Sequence, residues 1–273
     1  MAEVRRDHAW IEREYGTDKW PLARDAIAAI APGPPPTRVL GAVLQQLWPR
    51  LLDPEPLDVV VDGRRARLPQ AAALGAFTQL IVGSVLAAAR PDTGLVLELG
   101  SGWGRNLAEV WLAGGPADAD YVAAEYTAAG REATDALAPH LPGQKLRSRA
   151  FDYHQPDLAD LRREAGHAVV FSVHSLEQIP HVAPALLDGI LALAPEVTVV
   201  HVEPVGWQLP GAEDREGTSA RYAERNDYNR DLIATLRAAE AAGRLTIEDA
   251  RAEVLGINPN NASSVVVWSK RAG

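Results

Sequence analysis

Cysteine is absent from this 273-residue chain, methionine occurs once and phenylalanine three times. Without cysteine there is no disulfide, no thiolate nucleophile and no cysteine-bound zinc. An excess of basic charge is missing as well: 27 Lys and Arg stand against 36 Asp and Glu, a formal net charge of −9. The imbalance is uneven, because residues 1–90 hold 11 basic and 10 acidic side chains and the surplus acid lies in residues 91–273. Binding to nucleic acid is driven by phosphate neutralisation and leaves a basic face, so RNA and DNA are disfavoured as partners. A small molecule or peptide is expected instead. No apolar run reads as long enough to span a bilayer, and MAEVRRDHAWIERE at the N-terminus has no signal-peptide core. The expectation is a cytoplasmic protein with no membrane partner. Histidines and carboxylates show no dense ligand-like spacing, so no metal is expected. The oligomeric state is not legible.

What is present is ordinary globular material, 47% hydrophobic and 23% charged, enough for one sizeable core with an appended segment. Proline-rich Ala31 to Thr37 separates a charged amphipathic start from VLGAVLQQLWPRLL, which has helical character. Two short apolar runs around Asp62-Gly63 signal a hairpin, and Leu74, Phe77, Leu80, Ile81 and Val85 recur at helical spacing. Residues 1–90 therefore read as a mainly helical cap with one hairpin, placed to cover a substrate pocket. From residue 91 to 273 strands and helices alternate. Strands are predicted at 95–99, 121–124, 146–150, 168–173, 197–202, 252–255 and 263–268, with helices at 127–137, 184–194 and 219–242. Alternation predicts a parallel sheet covered on both faces. The linker between the last two strands is too short for a crossover helix, so those two pair antiparallel. The fold class is thus α/β, a Rossmann-like seven-stranded, mostly parallel sheet with an antiparallel last strand, plus the N-terminal cap.

The most informative stretch is VLELGSGWGRN, Val96 to Asn106. An apolar strand ends in Glu98, and Gly100, Gly102 and Gly104 follow at alternate positions, a tight turn leading into a helix N-terminus. A dinucleotide fingerprint wants glycine at the first, third and sixth positions. Here the sixth is Arg105. Glu98 would also repel a pyrophosphate and suits a ligand carrying cationic groups. The segment resembles the first motif of the class I S-adenosylmethionine-dependent methyltransferases, acidic-x-Gly-x-Gly-x-Gly. The resemblance covers about residues 90–270 as architecture. It implies S-adenosyl-L-methionine as cofactor, with Glu98, Gly100, Ser101, Gly102, Gly104 and Asn106 at the cofactor.

Ligands of open α/β sheets sit beyond the carboxyl ends of the strands. Glu125 stands there after the second predicted strand, as a partner for ribose hydroxyls or as an acidic helix start. After the third come Phe151 and Asp152, which the resemblance places on adenine; the alternative is a core phenylalanine and a helix-capping aspartate. FSVHSLEQIP, Phe171 to Pro180, looks like the fourth-motif region of small-molecule methyltransferases, with Gln178 where histidine is usual. His174 at that strand end reads either as a catalytic base or orienting group or as a packing residue, and Ser172 as a cofactor contact. His201 is the second catalytic candidate, and with Glu203 and Trp207 a candidate acceptor surface. Asn258, Asn260 and Asn261 read as turn residues. Tyr15 and Trp20 read as part of an amphipathic surface, with a lid contact as the alternative. Methyl transfer from a sulfonium demands alignment above all, and a base only for an acceptor that must lose a proton. The implied activity is O-methylation of a small metabolite or peptide. Alternatives are methylation of a peptide C-terminal carboxylate held by Arg64, Arg65 and Arg67, N-methylation, or a non-catalytic cofactor-binding subunit.

Overall fold

A computed structural model of the chain describes residues 6–31, 33–141, 143, 145–210 and 218–271. Residues 1–5 of the expected cap and Pro32 of the proline-rich stretch lie outside the described residues. Asp7 opens α1 (His8–Ile11) by accepting the Trp10 N–H at 2.9 Å. The chain continues through a π-helical stretch (Glu12–Lys19) into α2 (Trp20–Ala28), then α3 (Pro36–Leu47). A hairpin, β1 (Leu57–Val61) and β2 (Arg64–Leu68), turns on Asp62 and Gly63, both at positive φ. Helix α4 (Gln70–Ala88) leads to β3 (Thr93–Leu99), α5 (Arg105–Leu112), β4 (Asp120–Glu125), α6 (Ala128–Leu137), β5 (Leu146–Ala150) and β6 (His167–Val173). Next come α7 (Pro184–Leu191), β7 (Glu196–Glu203), α8 (Thr218–Arg225), α9 (Leu232–Ala241), β8 (Thr246–Gly256) and β9 (Ser263–Lys270).

All strands join one sheet in the order β2-β1-β8-β9-β7-β6-β3-β4-β5. Strands β3 to β7 are parallel, while β9 runs antiparallel to both β7 and β8. The predicted alternation and the antiparallel ending are both present. The count of seven is corrected to nine, because the hairpin assigned to the cap pairs with β8 through Val60 and Val61 and extends the sheet.

Period-two alternation divides the core. Leu95, Leu97 and Leu99 of β3 face the layer holding α7 and α9, and Val96 faces the layer built from α2 to α6. Apolar runs on both faces are the signature of a sheet covered twice. Helix α4 corrects the expectation that no run could span a bilayer: by length and composition it could. Here its apolar face, Leu74, Ile81, Val82 and Val85, is laid against the sheet layer, and Gly75, Gln79 and Gly83 are exposed. The single helix predicted at 219–242 is two helices. Asp227 adopts φ 53°, and the Asn229 carboxamide oxygen accepts the N–H groups of Asp231 and Leu232, starting α9 afresh.

Candidate active site

The tips of β3, β4, β5 and β6 open into a cavity of about 330 Å³. At its floor is the glycine turn, where Gly100, Gly102 and Gly104 all have positive φ. Each glycine is required by a neighbour. A Cβ on Gly100 would meet Ser175 at 2.4 Å, one on Gly102 the Trp20 ring at 2.7 Å, and one on Gly104 Thr134 at 3.0 Å. The turn is thus clasped from three sides.

Glu98 is buried behind it. One carboxylate oxygen accepts from the Asn106 carboxamide at 2.7 Å, and the other has no partner among the described residues. Burial, only partly offset by Asn106, pushes this carboxyl up to about 8. The Ser101 hydroxyl is also buried without a partner among the described residues. Glu125 lines the cavity, and its carboxylate accepts the Gly102 N–H at 2.9 Å and, from Thr127, the N–H at 2.9 Å and the hydroxyl at 2.7 Å. It therefore ties the glycine turn to the start of α6. Phe151 is in the core and Asp152 is at the cavity rim. Asp152 caps no helix: its carboxylate accepts the N–H of His154 at 2.8 Å, a local turn. Tyr153, unassigned in the sequence, reaches across to donate to the Leu99 carbonyl at 3.0 Å and lies 2.8 Å from the Ser175 hydroxyl.

Three predicted residues are off the cavity wall, the first being Gly104, which packs against Thr134. His201 and Ser172 are buried in the sheet and do not line the cavity. The Trp268 indole donates to His201 Nε2 at 3.1 Å, so Nδ1 carries the proton and donates to Ser172 at 2.9 Å. Burial pushes His201 down to about 4. This pair holds β6, β7 and β9 together and corrects the catalytic and cofactor roles expected for it. Glu203 likewise turns inward, accepting the N–H groups of Ser175 and Leu176 at 3.1 Å and of Glu177 at 3.3 Å, and Trp207 is off the cavity.

His174 does line the cavity. Its backbone is left-handed at φ 47°, strain of the kind that persists where surroundings over-determine a side chain. Its Nε2 lies 2.6 Å from the Ser263 hydroxyl and its Nδ1 3.1 Å from the Glu177 carboxylate. Burial pulls the imidazole down, but Glu177 and Glu203 outweigh it and raise its affinity for a proton. Asn261 is more than a turn residue, since its carboxamide approaches both His174 Nδ1 at 3.3 Å and Glu177 at 3.5 Å. Asn258, in contrast, accepts the Asn260 N–H at 3.0 Å as a turn should.

The N-terminal segment roofs the cavity. Tyr15 and Trp20 stack with ring centroids 5.5 Å apart and line it, which corrects the surface reading. The π-helical stretch brings them together: the Trp20 N–H bonds the Tyr15 carbonyl, five residues back. Arg6 anchors this roof. Its guanidinium sits 4.2 Å from the Trp10 ring centroid and 4.5 Å from that of Tyr228, bonds the Asn226 carbonyl at 2.7 Å, and contacts the Gln178 carboxamide. No sequence periodicity announces these contacts. The hairpin arginines Arg64, Arg65 and Arg67 are absent from the cavity wall.

No family model matches this chain, and no curated protein matches it by sequence. Solved structures do. Geranyl diphosphate methyltransferase, in a structure with GPP and sinefungin, matches with a TM-score of 0.50 at 12% identity, over 91% of this chain and 98% of its own. This chain has the class I methyltransferase fold. From β5 inward, the sheet without its hairpin runs third, second, first, fourth, fifth, seventh and sixth strand in chain order. The pyocyanin biosynthetic protein PhzM matches with a TM-score of 0.48 at 13% identity, over 97% of this chain and 72% of its own. The N-terminal domain of EvdMO1, with SAH bound, matches with a TM-score of 0.44 at 15% identity, over 72% and 81%.

Proposed function

We propose that this chain is an S-adenosylmethionine-dependent methyltransferase acting on a hydroxyl of a small, largely apolar acceptor. The observation that carries the reading is the unpartnered carboxylate oxygen of Glu98, buried at the glycine turn beside the equally unpartnered Ser101 hydroxyl. A buried carboxylate without a donor costs several kcal/mol (~1–3 even by conservative measures), and a cationic ligand that donates to it removes that cost. S-adenosylmethionine has such a group, its ammonium, and its sulfonium supplies an activated methyl group. Glu98 and Ser101 would hold its amino-acid part, Glu125 its ribose and Asp152 its base.

For the acceptor, Trp20, Phe77, Val173 and Ile179 provide apolar walls, and Gln178 and His174 the polar groups. His174 fits an orienting role better than that of a free base, because Glu177 and Ser263 engage both ring nitrogens. Carboxylate methylation loses its support here. The hairpin arginines are not at the cavity, and Arg6 is already committed to Gln178, Asn226 and two aromatic rings.

Calorimetric titration with S-adenosylhomocysteine, followed by a donor-consumption screen over hydroxylated metabolites with mass spectrometry of the product, tests both halves. Micromolar binding and a gain of one methyl on oxygen are expected. Absence of binding at high micromolar ligand removes the cofactor assignment, and methylated nitrogen removes the acceptor assignment.

A further inference from the structure

One end of the cavity holds an arrangement that cofactor recognition does not require. His8, Asp152 and His154 place a ligand-type atom each within 4.8 Å of one another, and they are the only such group of three among the described residues. His8 Nε2 lies 3.1 Å from Asp152 Oδ2, and the His8 and His154 rings meet edge to face at 5.0 Å. Asp152 Oδ1 is occupied by the His154 N–H, which fixes the carboxylate and leaves Oδ2 directed at His8. The His8 ring is supported from below by Tyr126, stacked at 5.1 Å and 12°. All three side chains line the cavity.

We propose that His8, Asp152 and His154 form a binding site for a divalent transition metal of the zinc class, which latches the N-terminal segment across the cleft and excludes the nucleoside. Two imidazoles and one carboxylate select zinc-like ions over magnesium or calcium, which take oxygen. Bonds of ~2.0–2.2 Å put tetrahedral ligand atoms roughly 3.4 Å apart, so the present spacing closes by small rotations of partly exposed side chains. Three protein ligands leave a fourth position facing the cavity. With the ion in place Asp152 Oδ2 is taken and His8 is held over Tyr126. A purine base can then use neither. The exclusion half rests on the methyltransferase reading; metal binding itself does not.

The test is calorimetric titration of the full chain with Zn²⁺ in a non-chelating buffer, alongside His8→Ala, His154→Ala and a control, His181→Ala, at an exposed histidine elsewhere. One equivalent should bind the natural protein and the control alike, and about tenfold or more weakly the two site variants. Equal affinity in all four proteins overturns the site. In the second arm, saturating Zn²⁺ should weaken S-adenosylhomocysteine binding at least about tenfold in the natural protein and leave it unchanged in His154→Ala. Zinc-independent binding in the natural protein overturns the exclusion. If S-adenosylhomocysteine fails to bind in EDTA, the proposed function falls while the first arm still decides the metal site.

Discussion

The two ends of the cavity are built by different means. At the proposed nucleoside end the polar groups stand at neighbouring strand ends: Glu98 next to last in β3, Glu125 last in β4, and Asp152 just beyond β5. At the proposed acceptor end they come from four distant places. Tyr15 and Trp20 arrive from the N-terminal segment, Phe77 from α4, His174 and Gln178 from the loop after β6, and Asn261 from the β8–β9 turn. The first end is fixed by backbone, through hydrogen bonds such as Gly102 N–H to Glu125. The second is fixed by side chains bridging elements, as Arg6 does between Trp10, Tyr228 and Gln178. A backbone-built end is intolerant of any added atom. A side-chain-built end tolerates change in shape and carries specificity.

The sharpest way to break this contrast is Gly102→Val. The substitution forces a β-branched residue to φ 56° and drives its Cβ into Trp20, at a stability cost of ~1–3 kcal/mol. Titration of the refolded variant should show S-adenosylhomocysteine affinity reduced at least about 100-fold; near-natural affinity would displace the pocket from this turn. Glu98→Gln comes next, expected to weaken binding roughly 10–100-fold, the loss of one charge-assisted hydrogen bond. It carries a pH signature as well. The folded-state value of about 8 lies above the ordinary 4.5, so the protonated group favours the native state. That contribution is complete below pH 4.5 and lost as pH rises through 8. Melting of the ligand-free proteins should therefore show the natural chain losing stability relative to Glu98→Gln across pH 4.5–8, and a constant difference would mean that Glu98 is solvated.

At the other end, His174→Ala should keep S-adenosylhomocysteine affinity within about twofold while turnover falls ~10²-fold or more. Steady-state kinetics that assign the loss to KM alone would leave His174 as a wall residue. The smallest effect belongs to His201, outside both ends. Its value of about 4, below the ordinary 6.5, contributes stability present above pH 6.5 and lost as pH falls through 4. His201→Gln should flatten the melting profile between those pH values by up to ~1–2 kcal/mol, with turnover retained at pH 8.

The contrast also explains what the amino-acid sequence disclosed. Strand ends are legible in the sequence: Glu98 stands out through the glycines that follow it, Glu125 by its place after the second predicted strand, and Asp152 through the family resemblance. The same strand-end reading misplaced Ser172 and His201, which precede the tips of β6 and β7 and bond to each other inside the sheet. Distance along the strand, invisible without a register, separates them from His174. The acceptor end stayed hidden because no periodicity connects Tyr15 with Phe77 or Asn261 with His174; only the closed sheet does. The place of the hairpin in the sheet is hidden for a related reason. Asp62-Gly63 announced a hairpin, but nothing local says which edge it will join.

That edge has a consequence for how the chain is made. β1 pairs with β8, so a segment synthesised within the first quarter of the chain acquires its neighbour only after nearly all the rest has been translated. Contacts of such high sequence separation slow folding and leave one edge of the β1–β2 hairpin, that of β1, unpaired in the meantime. On the other side of β1, the exposed arginines of β2 put charge on the strand that stays at the outer edge of the sheet, which discourages pairing with a second copy.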